Sequence, residues 1–216
     1  MKSKVVQSIS SVTAFLIEKG LSSSQNFPSD KDGVIYISNN NDHSIALKNI
    51  SYEEIYKTLD SEKNYNIKLI DGALIQLMYY FEGENLKKYR LAFFPSPFLN
   101  SYDDDPTFYD HDNIYADIIN PSINIVRTPI RFDYDPDNFT PIHHSKSHCT
   151  IGQYKGCRIP VSEPLTPIGF IEFIIKNFYN SVYQEMSSFF RENSDPMFSN
   201  CIAPEEKSFI HFSINR

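Results

Sequence analysis

Tryptophan is absent from the 216 residues, glycine occurs only 7 times, and the three cysteines form no CxxC pair. There is no phosphate-cradling Gly-rich loop, which argues against nucleotide hydrolysis by this chain itself. An odd number of cysteines (Cys149, Cys157 and Cys201) outside a small secreted scaffold argues against a disulfide framework and for buried thiols in a reducing compartment. No apolar run approaches the roughly 20 residues of a membrane span, and the opening MKSKVVQSISSVTAFLIEKG is too polar and interrupted for a signal peptide. The expectation is a cytoplasmic protein with no membrane partner. Positive charge is also in short supply, since 20 Lys and Arg face 27 Asp and Glu for a net charge of -7. The molecule as a whole is therefore no electrostatic nucleic-acid binder, and any such contact has to be local.

What the chain does have is enough apolar residues for a core and an aromatic excess, 17 Phe and 14 Tyr, which favours a sheet. We expect one domain over residues 1–216, of α+β class, with a mostly antiparallel central sheet packed by an N-terminal helix and a long C-terminal helix. Val5, Ile9, Val12 and Leu16 recur at helical spacing and Gly20 stands where a cap belongs. The Ser-, Asn- and Asp-rich stretch 22–32 reads as a loop, followed by short strands at 33–38 and 43–48 joined by a turn at 39–42. Ser51 caps a short helix. The runs 71–83 and 87–95 form a hairpin that Pro95 and Pro97 terminate. Between Leu91 and Val126 there is no Lys or Arg while six aspartates accumulate from Asp103 to Asp117, so this stretch is either a solvated linker or a partner-facing or metal-attracting loop. Thr166-Pro167 opens a helix expected to run to about 190, and residues 208–214 alternate as a final strand.

Candidate chemistry lies between residues 123 and 161. Side chains on a strand point alternately to opposite faces. In NIVRTPIRFDYD one parity carries Val126, Ile130, Phe132 and Tyr134, and the other Arg127, Arg131, Asp133 and Asp135. In SHCTIG the core parity takes Cys149 and Ile151, leaving His148, Thr150 and Gly152. In CRIPV it takes Cys157, Ile159 and Val161, leaving Arg158. If these strands are neighbours, one sheet face collects guanidinium, carboxylate and imidazole groups. Half of all the histidines fall in HHSKSH, as His143, His144 and His148. Such a mixture suits phosphodiester chemistry in two versions. A divalent metal could sit among Asp133, Asp135, His144 and His148 and activate water. Alternatively, His148 or His144 serves as general base while Arg127, Arg131 and Arg158 hold the phosphate and neutralise developing charge. The metal and cofactor requirement stays open at this point. A structural reading competes, in which the histidines only bond their own loop and Arg131 with Asp133 is a plain ion pair.

The succession RFDYD, HHSKSHCTIG and CRIPVSEPLTP running into FIEFIIKNFYN, together with LIQLMYYFEGENLKKYRLAFFPSP, resembles bacterial domain of unknown function family 2290 over nearly the whole chain. The matching positions are Arg131, Asp133, His144, His148, Arg158 and Pro160. Thr150 stands where some relatives are expected to carry a further His, which weakens a three-imidazole metal site here. The resemblance implies a setting beside a helicase in anti-phage defence islands. Two functions follow as expectations: an accessory or effector protein acting on nucleic acid as a phosphodiesterase or nuclease, with His148, His144, Arg131 and Asp133 catalytic and Arg127 and Arg158 binding substrate, or a noncatalytic adaptor that docks on a partner helicase.

Overall fold

The structure, a computed structural model, describes residues 1–31, 33–37, 50–98, 127–154, 156–194 and 196–214. The first helix, α1 (Lys2–Glu18), ends where Gly20 takes φ +69, a left-handed conformation that glycine adopts without steric cost. Strands β1 (Ser22–Gln25), β2 (Pro28–Lys31) and β3 (Val34–Ile37) follow. Residues 22–25 and 28–31 are thus strand and not the expected loop. Their polar composition suits edge positions: among the described residues β1 pairs only with β4 and β2 only with β3, and Pro28 opens its strand, where a missing donor costs least. The strand expected at 43–48 and the acidic stretch Asp103 to Asp117 lie outside the described residues.

Helix α2 (Tyr52–Ser61) carries a complete capping box between Ser51 and Glu54. Next come β4 (Ile67–Leu69), which the sequence reading missed, and the hairpin β5 (Leu74–Glu82) and β6 (Asn85–Phe94). Glu82 pairs with Asn85, so Gly83 and Glu84 form a two-residue turn, and Gly83 supplies the positive φ (+59) that such a turn demands. Strands β7 (Ile130–Tyr134), β8 (Ser147–Ile151) and β9 (Ile159–Pro160) complete a nine-stranded sheet among the described residues, in the order β1-β4-β5-β6-β7-β8-β9, with β3 also on β5. All of its pairings are antiparallel.

The C-terminal helical region is α3 (Pro167–Phe178) and α4 (Asn180–Glu192). The expected single helix is broken at Tyr179, whose φ of -136 and ψ of 56 leave helical space. The Tyr179 hydroxyl donates to Asp71 Oδ2 at 2.8 Å and its ring is buried against Phe93, so a tertiary anchor overrides continuous apolar spacing. The expected last strand shrinks to one parallel bridge, Val161 with Phe212.

The two faces of the sheet differ. One packs Ile75, Leu77 and Tyr79 of β5, Leu91 and Phe93 of β6, Phe132 of β7 and Cys149 of β8 against α1, α3 and α4. Each fully buried aliphatic or aromatic side chain there contributes about 1.5–3 kcal/mol of transfer free energy. The other face is apolar at one end only, where Leu74, Ala92 and Phe94 sit under Ile55, Tyr56 and Leu59 of α2. Beyond α2 the same face turns polar.

Candidate functional site

Strand register fixes which side chains meet on the polar half of that face. Met78 of β5 lies opposite Arg90 of β6, Arg90 opposite Asp133 of β7, Asp133 opposite His148 of β8, and His148 opposite Pro160 of β9. With strands about 4.8 Å apart, these residues form one row across the sheet. The neighbouring row runs Ala92, Arg131, Thr150. Pro129 ends the ladder just before β7, so the alternation does not extend back to Arg127.

Asp133, only 8% exposed, is bracketed by two guanidinium groups. Arg90 Nε donates to its Oδ1 at 3.0 Å and Arg131 Nε to its Oδ2 at 2.5 Å. Using Nε for the anchor leaves the Nη edge of Arg131 directed elsewhere. His148 is 4% exposed, with Nδ1 2.9 Å from the Ser145 carbonyl. A carbonyl can only accept, so Nδ1 carries the proton and Nε2 is the basic nitrogen. Nε2 lies 4.0 Å from Asp133 Oδ2, too far for a hydrogen bond yet close enough to favour an imidazolium once formed. Burial holds His148 below the ordinary imidazole value of 6.5, aided by the nearby His144 and Arg158 and opposed by the Ser145 bond and Asp133. At neutral pH His148 is a free base.

His144 comes from a tight loop in which Thr140 and His144 exchange backbone hydrogen bonds of 3.0 and 2.8 Å. The loop forces Ile142 to φ +69, a strained conformation for a β-branched residue. The His144 and His148 rings meet edge to face, with centroids 5.0 Å apart. Asp135 forms an ion pair with Lys88 at 3.1 Å and accepts from Asn138 at 2.7 Å; burial works against its charge, but these two partners carry its carboxyl below the usual range.

These groups surround one cavity of about 410 Å³, within the usual range for ligand sites. Arg131, Asp133, His144, His148 and Arg158 all line it, as do Asp135 and, among residues that the sequence reading did not name, Tyr80, Lys88 and Arg90. Lys88 and Arg90 were readable in principle, because in KKYRLAFF they occupy the parity opposite Tyr89, Leu91 and Phe93. Four cationic side chains thus face two carboxylates in a protein of net charge -7. Arg158 makes no ion pair among the described residues.

Arg127 is placed elsewhere. Its Nη1 donates to the Ser96 carbonyl at 2.6 Å, and it lines a separate shallow cavity with Ser51, Tyr52 and Glu53 at the start of α2. Thr150 donates to the Cys157 carbonyl at 3.0 Å, and His211 lies outside the polar cavity with Nδ1 2.9 Å from its own loop's Phe209 carbonyl. Cys149 faces the core, where burial pushes its thiol up to about 12, so it is neither nucleophile nor ligand. No group of three or more His, Cys, Asp or Glu among the described residues is disposed to hold a metal ion. Asp133 and Asp135, two of the four ligands weighed for a metal, are already engaged by cations. No described helix is long and apolar enough to cross a membrane.

A family model described as an uncharacterized conserved protein (DUF2290) matches residues 21–214. No curated protein and no solved structure matches the chain. The matched span takes in every described strand of the sheet and the whole polar cavity, leaving out only residues 1–20, with α1, and the last two residues, and on that extent the chain belongs to the DUF2290 family.

Proposed function

We propose that the protein binds nucleic acid through this cavity and cleaves its phosphodiester bonds. The observation that carries the reading is the convergence of a neutral His148, a second imidazole and the guanidinium groups of Arg131 and Arg158 on one concavity. Arg158 and the Nη edge of Arg131 hold the phosphate and neutralise the charge that develops on it. His148 removes the proton from the attacking group. Asp133 acts through others: it aims Arg131 and stabilises the imidazolium that His148 becomes, and is therefore a positioning residue. Arg127 has no part in the cavity. The same proposal places the protein in the cytoplasm as an accessory or effector of an anti-phage defence system working with a helicase, a setting supported by the family resemblance.

Purified protein is offered single-stranded DNA, double-stranded DNA and RNA, with and without added divalent metal. The expected result is cleavage of at least one of them, lost in His148→Ala and equally in His148→Asn, which keeps a donor for the Ser145 carbonyl and with it the fold, and weakened in Arg158→Ala. Equal activity of wild type and His148→Ala, or cleavage of none of the three, overturns the reading. For the setting, phage plaquing on cells carrying the protein and its neighbouring helicase should rise when His148→Ala replaces the wild type.

A further inference from the structure

We infer that the substrate class is RNA, cleaved by attack of its own 2′-hydroxyl between His148 and His144; the inference rests on the phosphodiester reading above and narrows it. Cleavage of a phosphodiester requires a nucleophile, and among the described residues the hydroxyl and thiol groups near the cavity are engaged or turned away: the Tyr80 hydroxyl donates to Glu82 Oε1 at 3.3 Å, and Tyr134 stacks on Tyr89 in the core. Cys149 points to the core, Ser147 is buried with its Oγ against the Tyr89 hydroxyl at 3.1 Å, and Thr150 is committed to the Cys157 carbonyl. The carboxylates that could orient a water are spent on Arg90, Arg131 and Lys88. RNA brings its nucleophile with it, already adjacent to phosphorus, and such intramolecular attack is worth effective molarities of about 10⁵–10⁸ M.

What remains for the protein is proton traffic and charge, which two imidazoles and the guanidinium groups of Arg131 and Arg158 can supply. Ring centroids 5.0 Å apart let both histidines serve one phosphoryl group, given hydrogen bonds of about 3 Å. Their placements differ: His148 is buried within β8, whereas half-buried His144 closes the exposed loop 141–143, so the base role falls to the first and the acid role to the second. His148 Nε2 takes the 2′-hydroxyl proton as the O2′–P bond forms. The P–O5′ bond then breaks and O5′ takes a proton from the His144 imidazolium. The products are a 2′,3′-cyclic phosphate and a 5′-hydroxyl end, the two histidines exchange protonation states and solvent resets them, so no co-reactant is consumed. The half-buried Tyr80 ring on the cavity wall supplies a face on which an unpaired base can stack.

The test uses the full chain with an RNA oligonucleotide, its all-DNA counterpart, and an RNA carrying 2′-O-methyl groups throughout, each in EDTA. Cleavage of the plain RNA alone, leaving a 2′,3′-cyclic phosphate, is expected. The roles are separated with RNA whose scissile 5′-oxygen is replaced by sulfur, a leaving group that needs no acid. His144→Ala should lose at least about 100-fold on ordinary RNA, the scale of acid–base catalysis, and recover on the sulfur substrate, whereas His148→Ala should stay impaired on both. Cleavage of DNA or 2′-O-methyl RNA at a comparable rate, 5′-phosphate products, or failure of the sulfur substrate to rescue His144→Ala overturns the inference while leaving phosphodiester cleavage standing. Inertness toward every substrate with and without metal overturns both.

Discussion

Replacing Asp133 with Ala tests the physical frame of the cavity directly. The carboxylate side chain is 11% exposed and the Arg90 and Arg131 side chains 22% and 18%, so all three charges are largely withdrawn from solvent. At an effective dielectric of 20, unit charges 4 Å apart attract by about 4 kcal/mol. Two such pairs offset the desolvation of three ions, with some of the gain lost to repulsion between the guanidinium groups. Removing the carboxylate leaves two half-buried cations beside each other, and breaking a buried pair in this way costs about 3–5 kcal/mol. For a chain of this size that is a fall in Tm of roughly 6–20 °C. Asp133→Asn keeps an acceptor and should cost less than Asp133→Ala. Thermal and urea unfolding measure both, and a double-mutant cycle with Arg90→Ala isolates the pair. The loss should persist in high salt, because buried pairs are poorly screened. A cost under about 1 kcal/mol, or one erased by salt, would show that Asp133 is solvated and would refute its role as counter-ion.

Burial of neutral His148 against Asp133, Arg158 and His144 predicts a pH dependence of stability. The group titrates below 6.5 when folded, so the unfolded chain binds the proton first; its contribution is full above 6.5 and is lost as the pH falls through the folded value. Unfolding curves of His148→Asn, which keeps a donor for Ser145, should slope less over that acid range than the wild type, and identical slopes would count against it. Gly33→Ala should cost at least about 2 kcal/mol, since φ is +84 and an added Cβ would stand 2.2 Å from the Phe81 carbonyl oxygen; denaturant midpoints decide. Ile142→Gly should stabilise by up to about 1 kcal/mol, as relief of left-handed strain exceeds the entropy of the glycine. In salt titrations of oligonucleotide binding, Arg158→Ala should weaken affinity and shrink the salt slope by about 1, while Arg127→Ala leaves both unchanged.

Elements whose local pattern and tertiary role agree were legible in the sequence. The β5–β6 hairpin, the Ser51 and Thr166 caps and the alternation in RFDYD and SHCT all reappear, and that alternation is why Arg131, Asp133 and His148 were expected on one face. Where pattern and environment part company, the reading failed. SSSQ and PSDK are strands because neighbours with apolar faces recruit them at the sheet edge, and nothing in their own composition says so. Tyr179 breaks a helix whose apolar spacing continues unbroken, because its hydroxyl reaches Asp71, distant in sequence. Arg127 shares parity with Arg131, but Pro129 intervenes and the register ends. Arg90 was overlooked because its strand was read for its apolar parity alone, although it supplies half of the clamp on Asp133.

The position of the cavity follows from how the second sheet face is covered. Helix α2 reaches only Leu74, Ala92 and Phe94, and the next row along the same strands has no described helix above it. A bare sheet face would present His148 and Asp133 to water, yet both are buried. Arginine side chains achieve this where lysine could not: the aliphatic stem lies over the sheet, Nε closes on the carboxylate, and the planar fork still has an outward edge. An ammonium has one point of charge and would have to choose between Asp133 and a ligand. Arg131 can do both at once, so the carboxylate beneath it does not cancel the cavity's positive character but directs it, and an acidic protein thereby keeps one small surface on which a phosphate is held at close range.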